Sequence, residues 1–143
     1  MTIQEQQDTY IADFEFFGND RDEKYSYIID LGNKLPVIDE KYKIDENRIS
    51  GCQSTVWLHA EYKDNKIFFT ADSDAIITKG IVSMFVGVFS GHTPKEILNA
   101  NIYFVDAIGL QSYLSMTRSN GLASMLKQIK LYALAFQAKS LQP

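Results

Sequence analysis

Apolar residues recur every three to four positions at the start of the chain, every second position in its middle, and every three to four again near its end. That change of period predicts helices, then strands, then helices. Thr2-Ile3-Gln4-Glu5 has the spacing of a capping box, and Ile3, Tyr10, Ile11 and Phe14 follow on one helical face. Gly18-Asn19 ends this helix. Asp20, with Glu23 three residues on, predicts the start of a second helix, with Tyr25, Ile28, Ile29, Gly32 and Leu35 as its buried stripe and Pro36 as its end. Residues 36–48 mix acids and bases without a period and read as a surface connection. Ile49 opens the strand region. From 54 to 62, Val56, Leu58, Ala60 and Tyr62 share one face, and Trp57, His59 and Glu61 the other. Asp64-Asn65 predicts a turn into a second strand over 66–72, giving an antiparallel hairpin.

The stretch 75–89 is apolar almost all round, which predicts a central helix with no solvent face. Asp72-Ser73-Asp74 is placed to cap it. Ser90-Gly91 ends it, and Thr93-Pro94-Lys95-Glu96 predicts a short helix running to about Asn99. Residues 101–117 carry no clear period. A terminal helix runs from Leu122 to about Ala138, with Leu122, Met125, Leu126, Ile129, Ala133 and Phe136 inward. The class is α+β, a small antiparallel sheet packed against several helices, and residues 1–143 read as a single domain.

Composition narrows the function. Of 143 residues, 45% are hydrophobic and 22% charged, as in an ordinary globular protein with a core of its own. The net charge of −4 argues against a nucleic-acid binder or a polybasic membrane-surface protein, both of which need a basic face. No export signal is visible in residues 1–17, and the most apolar stretch is interrupted by Lys79 and too short for a bilayer span. A single cysteine then fits a reducing, cytoplasmic setting.

That cysteine, Cys52, is the main candidate for chemistry. Alone it closes no intramolecular disulfide and builds no multi-thiolate metal or iron–sulfur site. Gly51 before it favours a sharp turn, which puts Cys52 at a tip entering the first strand. The plain alternative is a small buried side chain. At an ordinary pKa near 8.5 only about 3% of a thiol is ionised at pH 7, so a nucleophilic role needs a cation or a helix N-terminus nearby. Arg118, in Thr117-Arg118-Ser119-Asn120-Gly121 where the last helix begins, opposes the helix dipole there. It is either a solvated surface group or the partner of an anion such as Asp72, Asp74 or a sulfur anion. His59 follows Cys52 by an odd number of residues, so an unbroken strand puts the two on opposite faces. His92 reads as a loop or helix-end residue. The two histidines form no metal motif, and Asp72-Ser73-Asp74 lacks the further acids and glycine of a calcium loop.

Four blocks, in order, resemble the SufE family, the sulfur acceptors of cysteine desulfurases. They are Glu23-Lys24-Tyr25 running on to Leu31-Gly32-Asn33-Lys34-Leu35-Pro36, then Gly51-Cys52-Gln53-Ser54-Thr55-Val56-Trp57, then Asp72-Ser73-Asp74-Ala75 with Lys79-Gly80, then Arg118-Ser119-Asn120-Gly121-Leu122. The resemblance spans roughly Asp22 to Phe136 and implies a SufE/IscU-like fold. It implies that Cys52 takes persulfide sulfur from a pyridoxal-phosphate-dependent desulfurase of the SufS or CsdA kind, stimulates that enzyme, and passes the sulfur to a SufBCD-like scaffold. The chain itself would hold no cofactor and no metal, only a transient persulfide on Cys52, and would be an activator and not an enzyme. Asp74 and Arg118 carry over as loop-positioning or partner-facing groups, and His59 does not carry over. The alternative function is a stand-alone cysteine-dependent hydrolase or peroxide-reducing protein. It would need a base or a resolving thiol, and the chain has no second cysteine.

Overall fold

The computed structural model describes residues 1–49, 54–113 and 116–140, with the side chains of 116–120 and of 140 outside that description. Within those residues the order is α1 (Ile3–Phe16), α2 (Arg21–Asn33), β1 (Val56–Lys63), β2 (Lys66–Ser73), α3 (Ile76–Phe89), α4 (Pro94–Asn99), α5 (Phe104–Ile108) and α6 (Met116–Ser140). The fold is α+β, as the pattern predicts. Local signals explain most of the boundaries. Thr2 and Glu5 form the capping box of α1, and Thr93 and Glu96 that of α4, with Pro94 at its first position. The Asp20 carboxylate accepts from Glu23 N–H at the start of α2.

The sheet is a two-stranded antiparallel hairpin in which Val56 faces Ser73 and Lys63 faces Lys66. Asp64 and Asn65 both adopt positive φ, 53° and 67°, the left-handed pair that matches the twist of a two-residue hairpin turn. Val56, Leu58 and Ala60 point into the core with Ile67, Phe69 and Ala71. The outer edge of β2 is closed by two separate pieces of chain, 36–38 and 90–92. Ile38 N–H donates to Ala71 O and Ala71 N–H to Pro36 O; Phe69 N–H donates to Ser90 Oγ; Ile67 N–H donates to His92 O and Gly91 N–H to Ile67 O.

Helix α3 lies under this sheet and against α2. Ile81, Met84, Phe85, Val88 and Phe89 are all buried, which is why no polar face is needed. Gly32 and Gly80 set the α2–α3 approach: a Cβ on Gly80 would overlap the Ile28 carbonyl, and one on Gly32 would lie 3.0 Å from Gly80 N. Backbones this close leave no room for a side chain.

Several expectations are corrected. Helix α2 ends at Asn33, so Leu35 is buried beyond the helix and not on its stripe. Segment 36–48 is not wholly a surface connection. Its Ile38 is buried and its bonds to Ala71 add a rung beside β2, while Glu40–Tyr42 and Asp45–Asn47 form short 3-10 turns. The helix predicted from Leu122 begins at Met116. The unassigned stretch after residue 100 holds α5 and a 3-10 turn over Leu110–Tyr113. It is held by a long-range contact that no local period reveals. The buried Gln7 side chain donates to Asn101 O and accepts from Tyr103 and Phe104 N–H. A buried amide satisfied at both ends fixes this connection to α1.

Candidate functional site

Cys52 and its neighbours at 50, 51 and 53 lie outside the described residues. The expectation that Gly51 turns the chain and presents Cys52 at a tip falls there too. What is described is how the segment is held on either side. On the incoming side, Arg48 pairs with Trp57 and Ile49 N–H donates to Val56 O at 2.9 Å. Ile49 itself is buried. On the outgoing side, Thr55 N–H donates to Asp74 Oδ1 at 3.0 Å, and Asp74 N–H donates to Thr55 O at 3.3 Å. The two described ends of the segment are therefore held close together, and Asp74 clamps the outgoing end with two bonds, one of them to its carboxylate.

Asp74 thus does something other than the capping assigned to it from sequence. Ala75 is the N-cap of α3 and no side chain caps that helix. The nearest approach is Ser73 Oγ, which accepts from Ala75 N–H at 3.3 Å. Asp72 does not cap either. It ends β2 between two lysines, with Lys43 Nζ at 2.8 Å and Lys79 Nζ at 3.5 Å. Partial burial would raise its carboxyl, but the hydrogen bond from Lys43, the Ser73 N–H and both lysine charges outweigh that and hold it below the usual carboxylate range. Lys43 is shifted up in turn by its bonds to Asp72 and Glu40, and it lies over the Trp57 ring at 5.3 Å. One carboxylate therefore ties together the incoming segment, the hairpin and α3 beside the roots of the Cys52 segment. Sequence reasoning singled out neither Lys43 nor the Lys43–Asp72–Lys79 cluster. Lys43 sits in a stretch with no period, and the only signal was the presence of Asp72 and Lys79 in one family-like block.

Arg118 lies in the first turn of α6, which begins ahead of the predicted start at Leu122, and its side chain is outside the described residues. Of the acids named as partners for it, Asp72 faces the two lysines and Asp74 faces Thr55. His59 is on the strand face opposite Leu58 and Ala60, where its ring stacks on Tyr42 at 3.6 Å and its Nε2 lies 3.5 Å from Glu61. His92 precedes the Thr93 cap, with Nδ1 3.7 Å from Glu96. Burial lowers its pKa, partly offset by Glu96. No group of three metal-ligating side chains occurs among the described residues, and no helix among them is long and apolar enough to cross a membrane.

Comparison with known proteins identifies the family and the fold. The family model for SufE, an Fe-S metabolism associated domain, matches residues 8–133. An uncharacterized SufE-like protein of Rhizobium meliloti is 38% identical over 128 residues, covering 86% of this chain and 91% of that protein. The cysteine desulfuration protein SufE of Plasmodium falciparum is 32% identical over 114 residues, covering 76% of this chain and 46% of that longer protein. A hypothetical protein of Thermus thermophilus, known from a solution structure, shares the fold with a TM-score of 0.74 over 91% of this chain and 94% of its own, at 16% identity. With the family model matching most of its length and the four sequence blocks in order, this chain belongs to the SufE family, whose domain is associated with iron–sulfur metabolism.

Proposed function

We propose that this protein carries sulfur on Cys52 between a cysteine desulfurase and an iron–sulfur assembly scaffold. The observation that carries the reading is the match to the SufE family over residues 8–133, which contain the chain's only cysteine. The Cys52 thiolate attacks the terminal sulfur of a persulfide on the desulfurase. A new S–S bond forms on Cys52, the old S–S bond breaks, and the desulfurase cysteine leaves as a thiolate; no net oxidation occurs. Removing the persulfide frees the desulfurase for another turnover, so the protein is an activator and not an enzyme in its own right. The desulfurase is of the pyridoxal-phosphate-dependent SufS or CsdA kind, the acceptor is a SufBCD-like complex, and the setting is the reducing cytoplasm. The protein holds no pyridoxal phosphate, metal or other cofactor of its own; the persulfide is cargo.

Two features support a relay through this segment. Its flanks are fixed by the Ile49–Val56 and Thr55–Asp74 bonds, which tie both ends of the segment to the hairpin and the start of α3. The role proposed for Asp74 is to position the exit, and that proposed for Arg118, at the start of α6, is to meet the partner or the sulfur anion.

The test is intact-protein mass spectrometry after incubation with an active cysteine desulfurase and free cysteine, without reductant. A gain of one sulfur mass, reversed by thiol and absent in Cys52→Ser, is expected. The same substitution abolishes stimulation of the desulfurase. No gain with a competent desulfurase from the same source overturns the relay.

A further inference from the structure

At the far end of the hairpin, part of the β1 edge meets no other described residue. Antiparallel pairing alternates between residues that bond to the partner strand and residues that turn their peptide groups outward. Ile67, Phe69 and Ala71 all bond outward, to 91–92, Ser90 and 36–38. Their partners Tyr62, Ala60 and Leu58 therefore also turn outward, on the other edge of the sheet. There Val56 O is met by Ile49 N–H and Leu58 O by the Tyr132 hydroxyl. At Ala60 and Tyr62 no described residue meets the outward N–H and C=O.

A groove of about 630 Å³ opens at this point between β1 and α6, lined by Ala60, Glu61, Tyr62, Lys63, Phe136 and Lys139. Its size is within the range of ligand-binding clefts. Tyr62 and Phe136 stack at 5.2 Å and give it an apolar wall. Lys63 and Lys139 are exposed at its rim and have no ion pair among the described residues. Glu61 is turned to His59 on the opposite face of the strand.

We propose that the β1 edge and α6 form a docking groove for an extended, acid-bearing peptide segment of another protein, which adds as a third strand. Main-chain bonds to Ala60 and Tyr62 give pairing, the aromatic wall takes one apolar side chain, and the two lysines select carboxylates. The groove lies about 20 Å along β1 from the Cys52 end of the strand, at about 3.3 Å per residue. A partner docked here sits at the opposite end of β1 from the residues that lead into the Cys52 segment.

The experiment is an NMR titration of the full chain with the synthetic peptide acetyl-Asp-Val-Tyr-Val-Asp-amide. Shifts confined to 60–63 and 136–139, with slowed exchange of the Ala60 and Tyr62 amides, are expected. The double variant Lys63→Glu, Lys139→Glu, whose folding is verified by its melting temperature, binds about tenfold more weakly. The peptide N-methylated at alternate amides does not bind. No shifts at millimolar peptide, shifts elsewhere, or equal binding of the N-methylated peptide overturn the proposal. So do concentration-dependent shifts at the same amides without peptide, which assign the edge to a second copy of this chain. Cys52→Ser leaves the titration unchanged, so this result and that of the sulfur relay are independent.

Discussion

Asp72 and Asp74 are two residues apart and hold different things. Asp72 lies between Lys43 and Lys79 and secures the segment entering the Cys52 region, whereas Asp74 bonds the backbone that leaves it. The division follows from the end of β2: alternation turns Asp72 to the outer face beside Trp57, and the chain then bends at Ser73 into α3. Removing the Asp74 acceptor leaves Thr55 N–H to water, since Asp74 is exposed. Asp74→Ala is therefore expected to cost about 1 kcal/mol of global stability. Hydrogen exchange at Thr55 and alkylation of Cys52 by iodoacetamide should both accelerate several-fold, with the rest of the amide map unchanged. Unaltered rates at both positions would remove Asp74 from any role in holding this segment. Cys52 itself was legible as the reactive candidate because it is the only thiol and follows a glycine. The lysines around Asp72 were not, because ion pairs between distant segments leave no period in the sequence.

At the scale of elements, sequence reasoning succeeded where the signal is local. The capping boxes of α1 and α4, the Asp64-Asn65 turn, the alternation in β1 and the all-round apolarity of α3 each depend on residues within a few positions of one another. It failed where tertiary contacts decide. Ile38 joins β2 through a bond to Ala71, 33 positions further along the chain, and α5 is held by Gln7 from α1. The α2–α3 crossing is intermediate. Gly32 and Gly80 stand in the sequence, but their contact is visible only in three dimensions. A methyl group at Gly80 meets backbone, which cannot rotate away. Gly80→Ala is therefore expected to destabilise the fold by about 2–3 kcal/mol, although alanine is the better helix former. Urea denaturation of the variant checks this, and a neutral or stabilising effect would show that the two helices separate freely.

For the molecule as a whole, tyrosines set the alkaline limit. Tyr10 is buried between α1 and α3, and burial, followed by the nearby Asp13 charge, pushes it up to about 12. Tyr27 is raised by burial, by its hydrogen bond to Asp13 and by that charge. A phenol whose pKa is higher folded than unfolded contributes stability that is fully present below about pH 10 and is lost as pH rises towards the folded value. Melting temperature should therefore hold to about pH 10 and fall steeply above it. Phenolate absorbance should rise in two stages, the second coinciding with loss of near-ultraviolet circular dichroism. A single titration near pH 10 with the fold intact would show these phenols to be exposed. The SufE assignment also belongs to this scale, since it rests on four separated blocks and a match spanning residues 8–133, and no single block carries it.

The closure of β2 has a consequence for self-assembly. A sheet with two open edges can propagate without limit, each added strand offering the next one a template. This sheet has a valence of one. Whatever pairs with β1 finds the opposite side already sealed by residues 36–38, Ser90 and 91–92. Two copies joined through β1 would make a finite four-stranded object with both outer borders sealed, and a peptide added there would end the series at once. Fibrillar growth by sheet extension is thus blocked by the fold itself, even though the far half of the β1 edge meets no other described residue.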